Sequence, residues 1–512
     1  MTPRRFRLFL PVVFFFVLSH AYSAAPARPN VLIITTDDMS CDSVGVYGSQ
    51  LKDTTPHMDR LAGRSLRFNH AYVQVGNCMP SRNVMFSGRY PHNNGVEGFY
   101  PVKNPSYPVM ADLMKAGGYF TGIRHKVSHS TPYSPYPAWD VVLDTLPNGE
   151  PAHIKSAEAY YLTTQLGIAL AKKAGKPFCF NLNISDPHKP FYEGPRDPHQ
   201  PTRVFTAAEV PVPGFLPDDP VVREELALYY SSVRRGDDCL GGILRALRES
   251  GEDENTVIIF LSDHGMPLPF AKTQLYFHST RTPWMVRWPG VTKAGAIDDR
   301  HIVSGVDLLP TLLDMVNLPH PPGMDGRSFA PILRGQTQDQ RDYMVAEYNE
   351  NSGGNRHPMR TIITRDFAYL FNPWSNGERI MATATKGTAT YRRMQELAKT
   401  DAGVAQRLDL FDHRVPEELY QYSKDADALH NLIGKPEHQA HYEQLTKTLE
   451  AWMVTTRDPM LSLFRARQNP GAREAFMKQA EAEAAERNSS GTRPGKKGGT
   501  KKTGANKGGA KE

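Results

Sequence analysis

Two uninterrupted apolar runs, residues 31–35 (Val-Leu-Ile-Ile-Thr) and 257–261 (Val-Ile-Ile-Phe-Leu), interrupt an otherwise mixed chain. Short runs without polar alternation predict strands buried on both faces, as in a parallel sheet. Residues 119–123 and 178–184 have the same character and predict two more strands. Between residues 222 and 249, Leu226, Tyr229, Tyr230, Val233, Leu240, Ile243, Leu244 and Leu247 recur at helical spacing, with Gly251 as a stop. Further on the pattern weakens. Met344-Val345-Ala346 reads as a short strand, the polar, Gly-containing stretch 349–354 as a boundary, 359–371 as a strand, and 437–455 as a helix. No internal repeat is evident.

The ends and the composition change this picture in three ways. Arg4, Arg5 and Arg7 precede an apolar run at 8–18 and small residues at 21–25, the pattern of a secretory signal peptide. That run is too short to span a bilayer, and no other stretch is long enough, so the mature protein is expected to be soluble and exported, periplasmic or extracellular. From 487 to the end the chain holds eight Lys and Arg against one acid, more than the formal net charge of +6 for the whole chain. Such a stretch cannot bury a core; it reads as a solubilising tail or a contact for an anionic polymer, and nothing reads as nucleic-acid recognition. Four cysteines, Cys41, Cys78, Cys179 and Cys239, are few for an exported disulfide framework and read as small buried hydrophobes. The expected division is a signal peptide (1–25), a large domain (28–350), a smaller one (355–463) and a basic, largely disordered tail (464–512).

The candidate chemistry gathers where strands end. Thr36-Asp37-Asp38 follows the first run and Ser262-Asp263-His264-Gly265 the second, at the edge where open α/β sheets place ligands. An acid–base dyad, a metal site and plain Asx turns all fit such pairs; adjacent carboxylates repel unless a cation neutralises them, and oxygen donors suit Ca²⁺ or Mg²⁺. The other two strands deliver His125, Lys126 and His129, and then Asp186 and His188, to the same rim. In Gly76-Asn77-Cys78-Met79-Pro80-Ser81-Arg82, Pro80 suits a first helical turn. Cys78 would then sit at the helix mouth, where backbone N–H groups favour negative charge, with Arg82 one turn along the same face.

Cys78-x-Pro80-x-Arg82, with 55–62 (Thr-Pro-His-Met-Asp-Arg-Leu-Ala) upstream and 87–91 (Ser-Gly-Arg-Tyr-Pro) downstream, resembles the signature of the formylglycine-dependent sulfatases. The resemblance runs from about residue 28 to about residue 459. It implies an alkaline-phosphatase-like α/β fold: a large, mostly parallel mixed sheet flanked by helices, plus a small C-terminal domain with an antiparallel sheet and a helix. It implies that a formylglycine-generating enzyme converts Cys78, whose hydrated aldehyde becomes the nucleophile. Asp37, Asp38, Cys78, Asp263 and His264 would surround one divalent metal, Ca²⁺ or alternatively Mg²⁺. Lys126 and Lys272 would hold sulfate, Arg82 would orient residue 78, and Asp263 would help deprotonate the nucleophile. His188 would protonate the leaving atom and His129 would release sulfate, two roles that are interchangeable at this level; His125 is an alternative to His129.

Within the family, 92–96, 185–188, 262–269, 272–276, 357–360 and 455–459 resemble heparan-N-sulfatase-like members. His264 and the Lys126-x-x-His129 spacing look instead like iduronate-2-sulfatase-like members. The implied substrate is a sulfated saccharide, N-sulfoglucosamine first, with His92, Asn93, Asn94, His357 and Arg360 as candidate sugar contacts. Alternatives are O-sulfatase action on uronic-acid 2-sulfate or an algal polysaccharide, a phosphodiesterase or phosphonate hydrolase of the same superfamily, and a non-catalytic secreted glycan-binding protein.

Overall fold

The computed structural model describes residues 28–489. The expected signal peptide, and the tail from 490 onward, lie outside the described residues. In chain order the strands are β1 (Asn30–Asp37), β2 (Leu66–Phe68), β3 (Ala71–Tyr72), β4 (Phe120–Arg124), β5 (Val141–Val142), β6 (Phe178–Pro187) and β7 (Thr256–Ser262). They continue with β8 (Trp284–Arg287), β9 (Ile297–Asp298), β10 (Val303–Ser304), β11 (Tyr343–Glu350), β12 (Arg356–Thr364), β13 (Ala368–Phe371) and β14 (Glu417–Tyr420).

The four apolar runs are the centre of an eight-stranded sheet ordered β5-β4-β6-β1-β7-β8-β2-β9. Strands β5, β4, β6, β1 and β7 are mutually parallel, and β8 enters antiparallel. Successive side chains of a strand point to opposite faces. Leu32 and Ile34 of β1 accordingly pack with Leu226, Val233, Tyr160 and Ile168 from the helices Pro220–Glu249 and Ala157–Lys173. Val31 and Ile33 pack on the other side with Met85, Met110, Leu308 and Leu312. All four β1 side chains are fully buried, a gain of roughly 6–12 kcal/mol before chain entropy is charged against it. Gly242 lets the two helices of the first face close up: a Cβ there would lie 2.4 Å from the Ala157 carbonyl oxygen.

The second sheet is antiparallel, β11-β12-β13-β14, covered by the helix Gln439–Thr456 close to where it was expected. Three expectations are corrected. Residues 349–354 are not a boundary, because β11 pairs antiparallel with β12 and this stretch is their hairpin turn. Gly354 has φ 78° and Asn351 Oδ1 accepts the Asn355 amide at 2.9 Å, so the polar residues that suggested a linker bend one ribbon. The change of sheet therefore falls before Tyr343, inside the expected large domain. Residues 359–371 form two strands rather than one, reversed where Thr364 N–H donates to the Phe367 carbonyl at 2.8 Å. Residues 470–489, expected within the tail, form the helix Pro470–Ser489. It buries Met477, Ala480 and Ala484 along one stripe, and Arg379 pairs with its Glu474 at 2.7 Å. All four cysteines are buried and unpaired. No helix among the described residues is long and apolar enough to cross a membrane.

Candidate active site

The parallel register sets Thr36 beside Ser262, so the residues that follow β1 and β7 emerge side by side. Asp263 N–H donates to the Thr36 carbonyl at 3.1 Å. Asp38 turns back with φ 67°, a conformation Asp accepts more readily than most residues. That turn brings its amide to 3.1 Å from Asp263 Oδ1. Gly265 must be small: a Cβ would lie 1.8 Å from the His278 carbonyl oxygen. His264 Nδ1 lies 3.1 Å from the Gly265 carbonyl oxygen, which leaves Nε2 facing Asp38 Oδ1 at 3.1 Å and Asp263 Oδ1 at 3.7 Å.

Cys78 opens the helix Cys78–Ser87, as Pro80 predicted, and Asn77 Oδ1 accepts its amide at 3.2 Å. Its Sγ lies 3.3 Å from His264 Nε2. One turn on, Ser81 Oγ donates to the Asp263 carbonyl at 2.7 Å. The Arg82 guanidinium is not aimed at residue 78. It reaches Asp263 Oδ2 at 2.8 Å, Asp37 Oδ1 at 3.3 Å, Thr35 Oγ1 at 2.7 Å and Asn183 Oδ1 at 2.5 Å. Its hydrogen bonds go to the carboxylates rather than to position 78, because a planar fork of donors is better matched by carboxylate oxygens than by one sulfur.

The remaining cations come from the flanks. Lys126 Nζ lies 2.6 Å from Asp37 Oδ2, and Lys272 Nζ 2.6 Å from Asp38 Oδ2. His188 Nε2 stands 4.0 Å from Asp38 Oδ2 on a side chain that is 35% exposed, the open side of the group. His129 is placed less directly: its ring packs edge-on against Phe99 at 5.4 Å, and its backbone carbonyl accepts from Asn83 at 3.0 Å. His125 lies close by but is pushed down to about 3 by burial and the adjacent Lys126, so it is neutral.

Buried charge shapes the chemistry. Burial pushes the Cys78 thiol up, yet Lys272 and Lys126 outweigh it and hold it well below the usual thiol value. Burial also pushes Asp37 up, against Lys126, His188 and Arg82, which hold it well below the carboxylate range. Asp38 is lowered in the same way, burial being outweighed by Lys272, His188 and His264. For Asp263 burial prevails over Arg82 and His264 and raises the carboxyl to about 7. Burial lowers His264, but Asp263, Asp38 and Cys78 raise it further, to about 9. Ligand atoms of Asp37, Cys78, Asp263 and His264 lie within 4.8 Å of one another, and Asp38, Cys78 and His188 form a second such trio. Carboxylate oxygens with one imidazole fit a hard divalent cation.

The five candidate sugar contacts are turned inward. His92 Nδ1 meets Glu347 at 2.8 Å, and Asn93 holds Asp325 at 3.0 Å. Asn94 accepts the Val96 amide at 2.7 Å. His357 is buried edge-on against Trp374 and lowered to about 4 by that burial. Arg360 is fully buried on Asp458 at 2.5 Å. His92 thereby ties the segment after the Cys78 helix to the second sheet, and His92, Asn93, Asn94 and Arg360 are all engaged by protein partners, whereas among the described residues the His357 Nδ1 is left without a partner beside a cavity.

The sequence reading missed the residues that hold the His188 loop. Lys155 Nζ donates to Asp186 Oδ1 at 2.7 Å and to the His188 and Pro190 carbonyls at 2.8 Å each, which uses all three of its protons. Arg235 Nε donates to Asp186 Oδ2 at 2.7 Å. Lys155 carried no pattern, but Arg235 did: it follows Val233 and precedes Cys239 on the apolar face of a helix, where a charge needs a buried partner.

A family model described as Sulfatase matches residues 29–318, and one described as N-sulphoglucosamine sulphohydrolase, C-terminal, matches residues 263–374. The chain is 29% identical to N-sulphoglucosamine sulphohydrolase of Homo sapiens over 480 residues, covering 85% of this chain and 91% of that one. It is 26% identical over 438 residues to an ulvan-active sulfatase of Formosa agariphila, covering 85% and 82%. A solved structure of a protein in complex with its substrate D-glucosamine-2-N,6-O-disulfate superposes with a TM-score of 0.63 at 19% identity, covering 84% of this chain and 99% of that one. At that identity the last likeness speaks for the fold, and it agrees with the alkaline-phosphatase-like architecture. The first family match alone spans more than half of the 512 residues and contains Cys78, Arg82 and both carboxylate clusters. This chain therefore belongs to the sulfatase family, a sulfuric ester hydrolase.

Proposed function

We propose that the protein removes sulfate from a sulfated glycan, with terminal N-sulfoglucosamine the first substrate to test, after Cys78 has been converted to formylglycine by a formylglycine-generating enzyme. The observation that carries this reading is Cys78 at a helix mouth, buried between Asp37, Asp38, Asp263 and His264 and flanked by Lys126, Lys272 and His188. Asp37, Asp38, Asp263 and His264 would hold one divalent cation, Ca²⁺ first, which when bound supplies Lewis-acid stabilisation of charge on oxygen. Converted position 78 would supply the attacking hydroxyl.

The chain's own residues do the rest. Lys126, beside Asp37, and Lys272, beside Asp38, bind sulfate oxygens and counter the charge that grows there in transfer. Arg82 fixes Asp263 and Asp37 so that their oxygens keep facing position 78. His188, on the open side, gives a proton to the departing oxygen or nitrogen, and His129 takes one when sulfate leaves. The signal-like N-terminus supports export to the periplasm or the extracellular space.

Support for N-sulfoglucosamine comes from the human relative and from the matched C-terminal model. The ulvan-active relative favours a second reading, O-sulfatase action on an algal polysaccharide. The test is sulfate release from N-sulfoglucosamine, 6-O-sulfated N-acetylglucosamine, a 2-O-sulfated uronic acid disaccharide and ulvan oligosaccharides. Release from N-sulfoglucosamine is expected; release from O-sulfated substrates alone would replace the substrate and keep the sulfatase.

A further inference from the structure

Away from Cys78, a second cavity of about 420 Å³ is lined by Arg67, Arg281 and Arg365 with Asn69, His70 and Asp299, and walled by Tyr47, Tyr72, Phe277 and Tyr422. Its position follows from the sheet. Phe68 of β2 and Leu261 of β7 both pair with Trp284 of β8, so Asn69, His70 and Arg281 leave the sheet at the same edge as Asp263. Asn69 and His70 lie two strands to the side, roughly 10 Å from β7 at the usual strand spacing, and Arg281 one strand to the side.

The arginines there are short of partners. Arg281 is partly buried, yet among the described residues its one side-chain hydrogen bond is a long one, 3.5 Å to the Asn69 carbonyl, and its guanidinium lies 5.3 Å from the Phe277 ring. Arg67 stacks over Tyr47 at 5.1 Å and makes no side-chain hydrogen bond among the described residues. Among the described residues Arg365 reaches only the Arg300 carbonyl, at 3.3 Å. Among the described residues no carboxylate lies within 4.0 Å of any of the three guanidinium groups. The nearby acids are engaged by other donors: Asp299, on the cavity wall, takes the Asn69 amide, Asp298 holds His301, and Asp42, which favours the Arg281 charge from a distance, faces His278 at 3.6 Å. His70 is lowered by burial and by Arg281 and Arg365, so it adds no positive charge but can still donate. Three like charges around one cavity, one of them partly desolvated, repel one another, and an anion joining them would relieve that repulsion. Guanidinium forks match oxyanions in particular.

We propose that this cavity is a second, non-catalytic oxyanion site, which takes a sulfate or carboxylate group through Arg67, Arg281 and Arg365. Two sources share that chemistry: free sulfate leaving the catalytic rim, and an anionic substituent elsewhere on the glycan. The cavity is larger than a bare sulfate needs and has aromatic walls, which favours the sugar-borne group. Only that choice of ligand rests on the glycan reading above.

The test is calorimetric binding of a heparin-derived hexasaccharide and, separately, of sodium sulfate at fixed ionic strength. It compares full-length Cys78→Ala protein, which cannot turn over, with the same protein carrying Arg67→Gln and Arg365→Gln. These two side chains are partly or fully exposed, and Arg365→Gln alone serves if the pair lowers the melting temperature. Hexasaccharide affinity is expected to fall at least about tenfold. A fall for the hexasaccharide alone identifies a sugar-borne group, and a fall for both ligands identifies bare oxyanion binding. Unchanged affinity for both overturns the proposal. With Cys78 intact, the arginine substitutions should leave turnover of a small aryl sulfate within about twofold. A parallel loss of that turnover would assign the arginines to the catalytic site and overturn the proposal as well. Sulfate release bears on the catalytic reading and hexasaccharide binding on this one, so either can fail alone.

Discussion

At the rim of the first sheet, Asp37, Asp38 and Asp263 crowd around Cys78 and His264; beneath the second sheet, Glu347 and Asp458 crowd around His92 and Arg360. Each group brings acids and imidazole close enough to hold a metal ion. In the inner group the cation is built in: Arg360 Nε lies 2.5 Å from Asp458 and 3.3 Å from Glu347, and His92 closes the other side of Glu347 at 2.8 Å. Burial pushes Asp458 up, but Arg360 outweighs it and holds the carboxyl below the usual value. At the rim, Arg82 and His264 do not suffice, and Asp263 stays raised to about 7. The rim also opens to solvent past His188, whereas the inner side chains are 0–2% exposed. The contrast separates a cluster of donors from a site: a site needs charge left incompletely matched, and a way in.

The sharpest break in that contrast is chemical. Cys78→Ala should lower sulfate release by at least about 10⁴-fold, the scale for losing a covalent nucleophile, with an unchanged melting temperature; substantial residual turnover would remove position 78 from the reaction. Next comes metal content. Protein purified without chelator should carry about one divalent ion per chain. Asp263→Asn should lose that ion together with activity, and Glu347→Gln should keep it. An ion that leaves with Glu347→Gln instead would invert the comparison.

Arg360→Met should act on stability. It strips two buried acids of their counter-charge, and urea unfolding should record a loss of about 3–5 kcal/mol, with kcat of the folded fraction unchanged. A smaller effect follows from pH. Burial pushes His92 down, but Glu347 prevails and raises it to about 9. A raised folded value means the pair's stabilisation is complete below the unfolded value of a histidine, 6.5, and is lost as pH rises through about 9. Between about pH 6 and pH 10, wild type should lose up to about 3 kcal/mol relative to His92→Gln; parallel stability curves would show that the pair does not titrate in this way. The smallest expected effect is at Lys155. Lys155→Met should loosen the His188 loop and cut kcat about tenfold on sugar sulfates, but much less on an activated aryl sulfate that needs no proton at its leaving oxygen. An equal loss on both would make Lys155 a stability residue.

The central strands were legible because burial on both faces removes polar alternation, and each ended in the residues that meet at the rim. The second sheet was not legible. Asn and Gly at 351–354 mark a tight reversal and a linker with the same letters, and only the partner strand distinguishes them. The helix Pro470–Ser489 is rich in Ala and Glu, like a solvated tail, and its buried stripe of Met477, Ala480 and Ala484 is narrow. His92 and Arg360 read as sugar contacts because their partners, Glu347 and Asp458, lie 255 and 98 residues away along the chain. Lys155 answers mainly to backbone carbonyls, which any sequence supplies.

Cys78, Met79, Pro80, Ser81 and Arg82 are all buried, and Arg82 bridges side chains of β1, of β6 and of the residue that follows β7. Once that bridge closes, no protein-sized catalyst can reach the sulfur. Under the formylglycine reading proposed above, conversion of Cys78 would therefore be a matter of timing: an oxidising enzyme would have to meet this segment on a newly made, still extended chain, before the strands assemble around Arg82. A sequence change that hastened closure would yield well-folded, unconverted protein, in which the rate of folding rather than the structure decides how much of the product works.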